Sequence, residues 1–181
     1  MREPISVGLI GAGGIAQDVV AAIHEQDGGK NVRIVGALVR PGRAAAAQAQ
    51  LPGIEIIESL DALLACKPML VAEVAGQSAV AEYGEAVLRR GIDLLIISVG
   101  ALADPALLAR LKAAAEAGGS RILLPAGAIG GIDALAAMRV AGLTSVRYRS
   151  RKPPAAWRGS PAEQVADLGS LTQRTVLYRG N

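Results

Sequence analysis

The fold is decided by one stretch near the start of the chain, Ile5-Ser-Val-Gly-Leu-Ile10-Gly11-Ala-Gly13-Gly-Ile-Ala16. Its first six residues are uncharged and mostly branched aliphatic, as a short buried strand requires. After the glycines, residues 14–26 carry apolar side chains at Ile15, Val19, Ala22 and Ile23, the spacing of one helix face. A strand, a G-x-G-x-x-A turn and a helix in this order make a cradle for a pyrophosphate. Gly11 permits the tight turn, Gly13 lets the backbone approach the phosphates, and Ala16 allows the helix to pack close to the strand. The first turn of the helix, at Gly14 and Ile15, offers free N–H groups and the positive end of the helix dipole. The pattern alone also occurs in turns built for packing. Its place between a first strand and a first helix is what points to a dinucleotide.

The same alternation continues outward. Residues 32–39 read as a second buried strand, 43–50 as an Ala-rich helix, 54–57 as a short strand, and a small helix follows with Ser59 as its cap. Residues 69–73 are a strand and 78–90 a helix, stopped at Gly91, which supplies a left-handed C-terminal residue. Residues 92–99 read as a long strand. Asp104-Pro105 opens the next helix, Gly118-Gly119 closes it, and 121–125 is a final strand. Strands alternating with helices imply an α/β fold with a doubly wound parallel Rossmann sheet over residues 1–125. After Pro125 the pattern changes, with Gly127, Gly130 and Gly131 in close succession before a short helix that ends near Gly142. Strand candidates lie at 145–152 and 175–179, separated by Pro153-Pro154 and the capping-box pattern Ser160-Pro-Ala-Glu163. Residues 126–181 are therefore expected to form a shortened α+β domain.

Composition narrows the function. The chain has 181 residues, half of them hydrophobic, but no Phe, one Trp and three Tyr, so its core must be built from Ala, Val, Ile and Leu. The net charge of +3 and pI near 9.3 come from basic residues spread along the chain without interleaved aromatics. That pattern argues for an anionic small ligand and against nucleic acid. Cys66 is the only cysteine and His24 the only histidine, which excludes an intramolecular disulfide and argues against a zinc site or a Cys–His pair. Cys66 is read as a buried structural residue. No apolar run approaches the ~18–20 residues of a membrane span, and residues 1–10 are too short for a signal peptide, so the expected location is the cytoplasm.

Other candidate residues follow from the sheet. An NAD site would place an acid at the end of the second strand, about 20 residues past the glycines. Here the chain reads Val39-Arg40-Pro-Gly-Arg43, and two guanidinium groups favour the 2′-phosphate of NADP. Solvated surface arginines are the competing reading. Glu73-Val-Ala75-Gly76-Gln77 and Ser98-Val99-Gly100-Ala101 follow strands at the carboxyl edge, where small residues leave room for a nicotinamide ring. Ordinary strand-to-helix turns would look the same. Glu73 is either a polar strand end or a functional acid.

Three blocks carry a resemblance: Ile97-Ser-Val-Gly-Ala-Leu102, Leu124-Pro-Ala-Gly-Ala-Ile-Gly-Gly-Ile-Asp133, and Val146-Arg-Tyr-Arg-Ser-Arg-Lys-Pro153. Through them, and more diffusely through the first domain, the chain resembles the L-aspartate dehydrogenases. The resemblance implies oxidation of L-aspartate to iminoaspartate with NAD or NADP, a step that feeds pyridine-nucleotide biosynthesis. It also implies that Ala128 lies against the cofactor and that the protein can form a homodimer. A substrate with two carboxylates needs fixed donors, for which Arg151 and Lys152 are candidates, although a charged strand face is an equal reading. The family continues beyond the point where this chain stops, through an Asn-containing block and a catalytic histidine. His24 lies in the first helix and Asn181 does not match that block, so no catalytic residue is assigned and turnover by these 181 residues is expected to be weak or absent. The rival readings are an enzyme of homoserine dehydrogenase or dihydrodipicolinate reductase type, and a noncatalytic dinucleotide-binding module.

Overall fold

The computed structural model describes residues 3–127 and 130–180. It divides into two compact units, Met1–Gly130 and Gly131–Asn181.

In the first unit the described residues form a six-stranded parallel sheet. Its strands are β1 (Ile5–Ile10), β2 (Val32–Leu38), β3 (Ile56–Ile57), β4 (Leu70–Glu73), β5 (Asp93–Ile96) and β6 (Ile122–Leu123), in the order β3-β2-β1-β4-β5-β6. The order reverses between β1 and β4. In open parallel sheets that reversal opens a crevice at the carboxyl ends of the strands, where ligands bind. Helices α1 (Gly14–Asp27), α2 (Ala44–Gln50), α3 (Leu60–Ala65), α4 (Gln77–Arg89) and α5 (Pro105–Gly118) connect the strands.

The two faces of the sheet bury separate cores, because side chains alternate along each strand. Val7 and Leu9 of β1 pack with Ala16, Ala37, Ala47 and Ala72, whereas Ile10 packs with Leu63, Val71, Val80, Leu88, Leu94 and Leu111. Alanine on one face lets α1 and α2 lie close to the sheet, which offsets the scarcity of aromatics. Where α4 and α5 cross, a methyl on Gly84 would come 2.9 Å from Leu111 Cδ2, so the glycine sets how near the helices approach.

The caps read from the sequence form as expected. Ser59 Oγ accepts from the Ala62 N–H, Asp104 Oδ1 accepts from the Ala106 N–H with Pro105 next to it, and Gly91 and Gly119 have positive φ. Strand lengths need correction. The strand expected over 92–99 ends at Ile96, because Ser98 turns away to bond Glu73 and Val99–Ala103 forms a 3-10 turn. The edge strands expected at 54–57 and 121–125 are only two residues long. Cys66 is half-buried, not buried, with its Sγ donating to the Ala62 carbonyl.

The second unit contains α6 (Ile132–Ala141), on which no residue is buried, and 3-10 turns at Pro154–Trp157 and Pro161–Gln164. Ser160 caps the second turn, accepting from the Ala162 N–H. The strands expected at 145–152 and 175–179 do not form. A strand is stabilised by a neighbour that satisfies its N–H and C=O groups, and among the described residues these segments have none. Among the described residues no helix is long and apolar enough to cross a membrane.

Candidate dinucleotide-binding site

The crevice at the strand reversal is a cleft of about 390 Å³. Its floor is Ile10, Gly11, Ala12 and Gly13, and one wall is Val39, Arg40, Arg43 and Ala47 from the end of β2 and the start of α2. The other wall is Val74 and Ala75, continuing into Ser78, Ala79, Glu82 and Tyr83 of α4. Five of the candidate residues, Gly11, Gly13, Arg40, Arg43 and Ala75, therefore meet around one space.

The two glycines of the turn serve different needs. Gly11 has φ +109°, and a methyl there would meet the backbone and Cβ of Ala75. Gly13, the residue before α1, has φ −76°, which any residue adopts, and a methyl on it would meet no protein atom within 4 Å. Neither backbone nor packing requires a glycine at 13. A ligand approaching the backbone there would, and the open space has room for a pyrophosphate. No side chain caps α1 and its first turn holds no acid, so the N–H groups near Gly14 and Ile15 face an exposed surface. Those two residues open α1 but do not line the cleft.

Arg40 and Arg43 are both exposed on the β2–α2 turn. Glu58 occupies the turn's own N–H groups, accepting from Gly42 at 2.7 Å and Ala44 at 3.3 Å, so the donors left to an anion at this edge are the guanidinium groups, with the Glu58 carboxylate beside them. Tyr83 lies on the opposite wall. The Glu82 carboxylate beside it pushes its hydroxyl above the usual tyrosine range, burial acts the same way, and the Arg40 charge opposes both.

Gly76, Ser98 and Val99 are not on the cleft wall. Gly76 precedes α4 with φ +141°, Val99 is exposed, and the Ser98 hydroxyl donates to Glu73. Ala128 lies outside the described residues, as does Asn181. Arg151 and Lys152 belong to the second unit, where Lys152 Nζ sits 5.3 Å above the Trp157 ring. The sequence reading missed Glu82 and Tyr83. Their signal was present: with Ser78 and Ala79 they occupy one helical face of α4, above the carboxyl edge of β4.

Comparisons with known proteins agree with this geometry. A family model described as homoserine dehydrogenase, NAD binding domain, matches residues 11–125, and one described as aspartate dehydrogenase, C-terminal, matches residues 133–181. The L-aspartate dehydrogenase of Ruegeria pomeroyi is 44% identical over 178 residues, covering 98% of this chain and 62% of the relative. That of Cupriavidus necator is 41% identical over 177 residues, 97% of this chain and 65% of the relative. The chain thus spans less than two-thirds of the length of these relatives. The crystal structure of aspartate dehydrogenase from Thermotoga maritima superposes with a TM-score of 0.58 at 26% identity, over 75% of this chain and 52% of that one. The WlbA dehydrogenase of Bordetella pertussis, solved with NADH and UDP-GlcNAcA, shares the fold at a TM-score of 0.58 and 20% identity, over 69% of this chain and 36% of its own.

Sheet, cleft and matches define a class, the NAD(P)-binding Rossmann domains of dehydrogenases. Within that class the chain belongs to the family of the homoserine dehydrogenase NAD binding domain, and over nearly its whole length it is similar to L-aspartate dehydrogenases.

Proposed function

We propose that the chain serves the NAD(P)-dependent oxidation of L-aspartate to iminoaspartate. The observation that carries this reading is the 44% identity to an L-aspartate dehydrogenase across 98% of the chain. The open space over Gly13 supports the dinucleotide part of it independently.

In this reading the turn at Gly11, Gly13, Gly14 and Ile15 holds the pyrophosphate with backbone N–H groups. Arg40 and Arg43 hold a 2′-phosphate by charge-assisted hydrogen bonds, so NADP is accepted at least as well as NAD. Ala75, Gly76, Ser98, Val99 and Ala128 flank the nicotinamide, and Arg151 and Lys152 bind the substrate carboxylates. When bound, the cofactor would supply the acceptor for a hydride from the amino-acid Cα, with the amine giving up a proton as the C=N bond forms. The residues of this chain contribute orientation, because hydride transfer requires the donor carbon held close to the acceptor. The product supplies pyridine-nucleotide biosynthesis. A cytoplasmic homodimer belongs to the same proposal, supported by the apolar residues Ile132, Met138 and Val140 left exposed on α6.

The test is to titrate the purified protein with NADH and NADPH, following nicotinamide fluorescence. NAD(P) reduction is then assayed with L-aspartate, L-homoserine and other amino acids. Saturable binding is expected, with amino-acid turnover weak in these 181 residues and aspartate preferred in whatever turnover there is. Preference for homoserine would transfer the chain to the rival enzyme class, and binding with neither turnover nor any effect of L-aspartate on cofactor affinity would make it a binding module.

A further inference from the structure

Glu73 is the last residue of β4, and its side chain is fully buried, the only charged one among the described residues to be so. A carboxylate removed from water is tolerated when its lone pairs are satisfied, and this one is. Oε1 accepts from the Ala75 N–H at 2.8 Å, the Gly76 N–H at 2.7 Å and the Ser98 hydroxyl at 3.0 Å. Oε2 accepts from the Ser98 N–H at 3.0 Å. One side chain thus fixes the turn that leaves β4 and the turn that leaves β5. The Ala75 held in this way is also the residue against which Gly11 packs, so the same carboxylate sets the height of the glycine-rich turn.

A backbone-only turn would need no buried charge. The carboxylate is useful because both turns lie on the β4–β5 side of the strand reversal, across the cleft from Arg40 and Arg43. A dinucleotide lying over that reversal has its adenosine half on the β2 side and its nicotinamide half on the β4 side. We propose that Glu73 is a positioning residue for the nicotinamide half of the cofactor, holding the 75–76 and 98–99 backbone at the spacing the ring requires. The proposal rests on the NAD(P) reading of the cleft and extends it to a residue that does not touch the ligand.

Glu73→Gln keeps the shape but cannot keep the bonds. With the amide oxygen at the Oε1 position its NH2 group opposes the Ser98 N–H, and in the flipped orientation it opposes the Ala75 and Gly76 N–H groups. The experiment compares dissociation constants for NADPH and for 2′-phospho-ADP-ribose, which lacks the nicotinamide, in the parent, Glu73→Gln and Ser98→Ala. Glu73→Gln is expected to weaken NADPH by about tenfold or more while the half-ligand changes by less than about twofold. Ser98→Ala removes one of the four donors and is expected to produce a smaller loss with the same selectivity. It is the deciding variant if Glu73→Gln does not fold. Equal losses for both ligands, or unchanged NADPH affinity in a folded variant, would overturn the proposal. Failure of the parent to bind either ligand would instead overturn the cofactor reading itself.

Discussion

Gly11 lies so close to Ala75 that a methyl group on it would come 2.9 Å from the Ala75 Cβ, nearer than two such carbons can approach. The contact joins the turn after β1 to the turn after β4, and Gly11 also has a φ that side chains disfavour. Gly11→Ala should therefore lower stability, by about 1–3 kcal/mol for the backbone strain alone. Gly13→Val should leave the melting temperature nearly unchanged, since nothing surrounds that position, yet abolish most NAD(P)H affinity. Calorimetric melting beside a cofactor titration checks the pair. Tight cofactor binding by folded Gly13→Val would remove the pyrophosphate assignment.

Replacing Arg40 and Arg43 together by Ala should weaken NADPH more than NADH, by on the order of 1–3 kcal/mol if both guanidinium groups meet the 2′-phosphate. Parallel titrations with the two cofactors measure the difference. Equal losses would mean that the arginines act on the cofactor only through general charge, and no loss would return them to solvent.

Asp93 opens β5 and accepts three hydrogen bonds from Arg121, just before β6, the shortest from Nη2 at 2.6 Å. The Arg121 side-chain bonds hold the Asp93 carboxyl below the usual carboxylate range, against a partial burial that pushes it up. A carboxyl depressed in the folded state contributes its stability above its unfolded pKa and loses it as the pH falls through the folded one. Asp93→Asn should thus be less stable than the parent near neutrality, and the difference should shrink steadily below about pH 4. Urea melts across that range provide the readout. A gap that stays constant in acid would assign the effect to neutral hydrogen bonding.

Gly118, the last residue of α5, packs on the backbone carbonyl of Leu88 near the end of α4, and a methyl group there would overlap that oxygen. The same carbonyl accepts from Ser120 Oγ at 2.8 Å and the Gly91 N–H at 3.0 Å, so it is not free to move. Gly118→Ala gains roughly 0.5–1 kcal/mol of helix propensity but should lose about 1–3 kcal/mol to overpacking, for a net destabilisation. Denaturant melts would reveal the sign, and a more stable variant would show that the two helices can separate without cost.

Much of the first unit was legible because its signals are local. The turn from Gly11 to Ala16, the Asp104-Pro105 helix start and the glycine stops at 91 and 119 depend on a few adjacent residues. The lengths of strands were less legible, since β5 stops where Ser98 finds an acceptor 25 positions earlier in the chain, at Glu73. For the same reason Glu73 read equally as strand end or functional acid until its partners were known. The basic run at 145–152 was misread because a strand-like sequence needs a neighbouring strand, and composition cannot supply one. The absence of an expected acid drew attention to Arg40 and Arg43, and the structure places both on the cleft wall. Glu82 and Tyr83 went unremarked although they share one helical face with Ser78 and Ala79, the face that the packing of α4 turns toward the cleft.

The two outermost strands, β3 and β6, contribute only two residues each. Unpaired N–H and C=O groups along a sheet margin are a template on which another chain can add itself, and the risk grows with the length of margin on offer. The β6 end therefore gives a passing polypeptide almost nothing to extend, but β3 pairs only with Ala37 and Leu38, and no described strand pairs with the outer margin of β2 from Val32 to Gly36. Growth of cross-strand aggregates from the native state should accordingly begin at that β2 margin and not at β6.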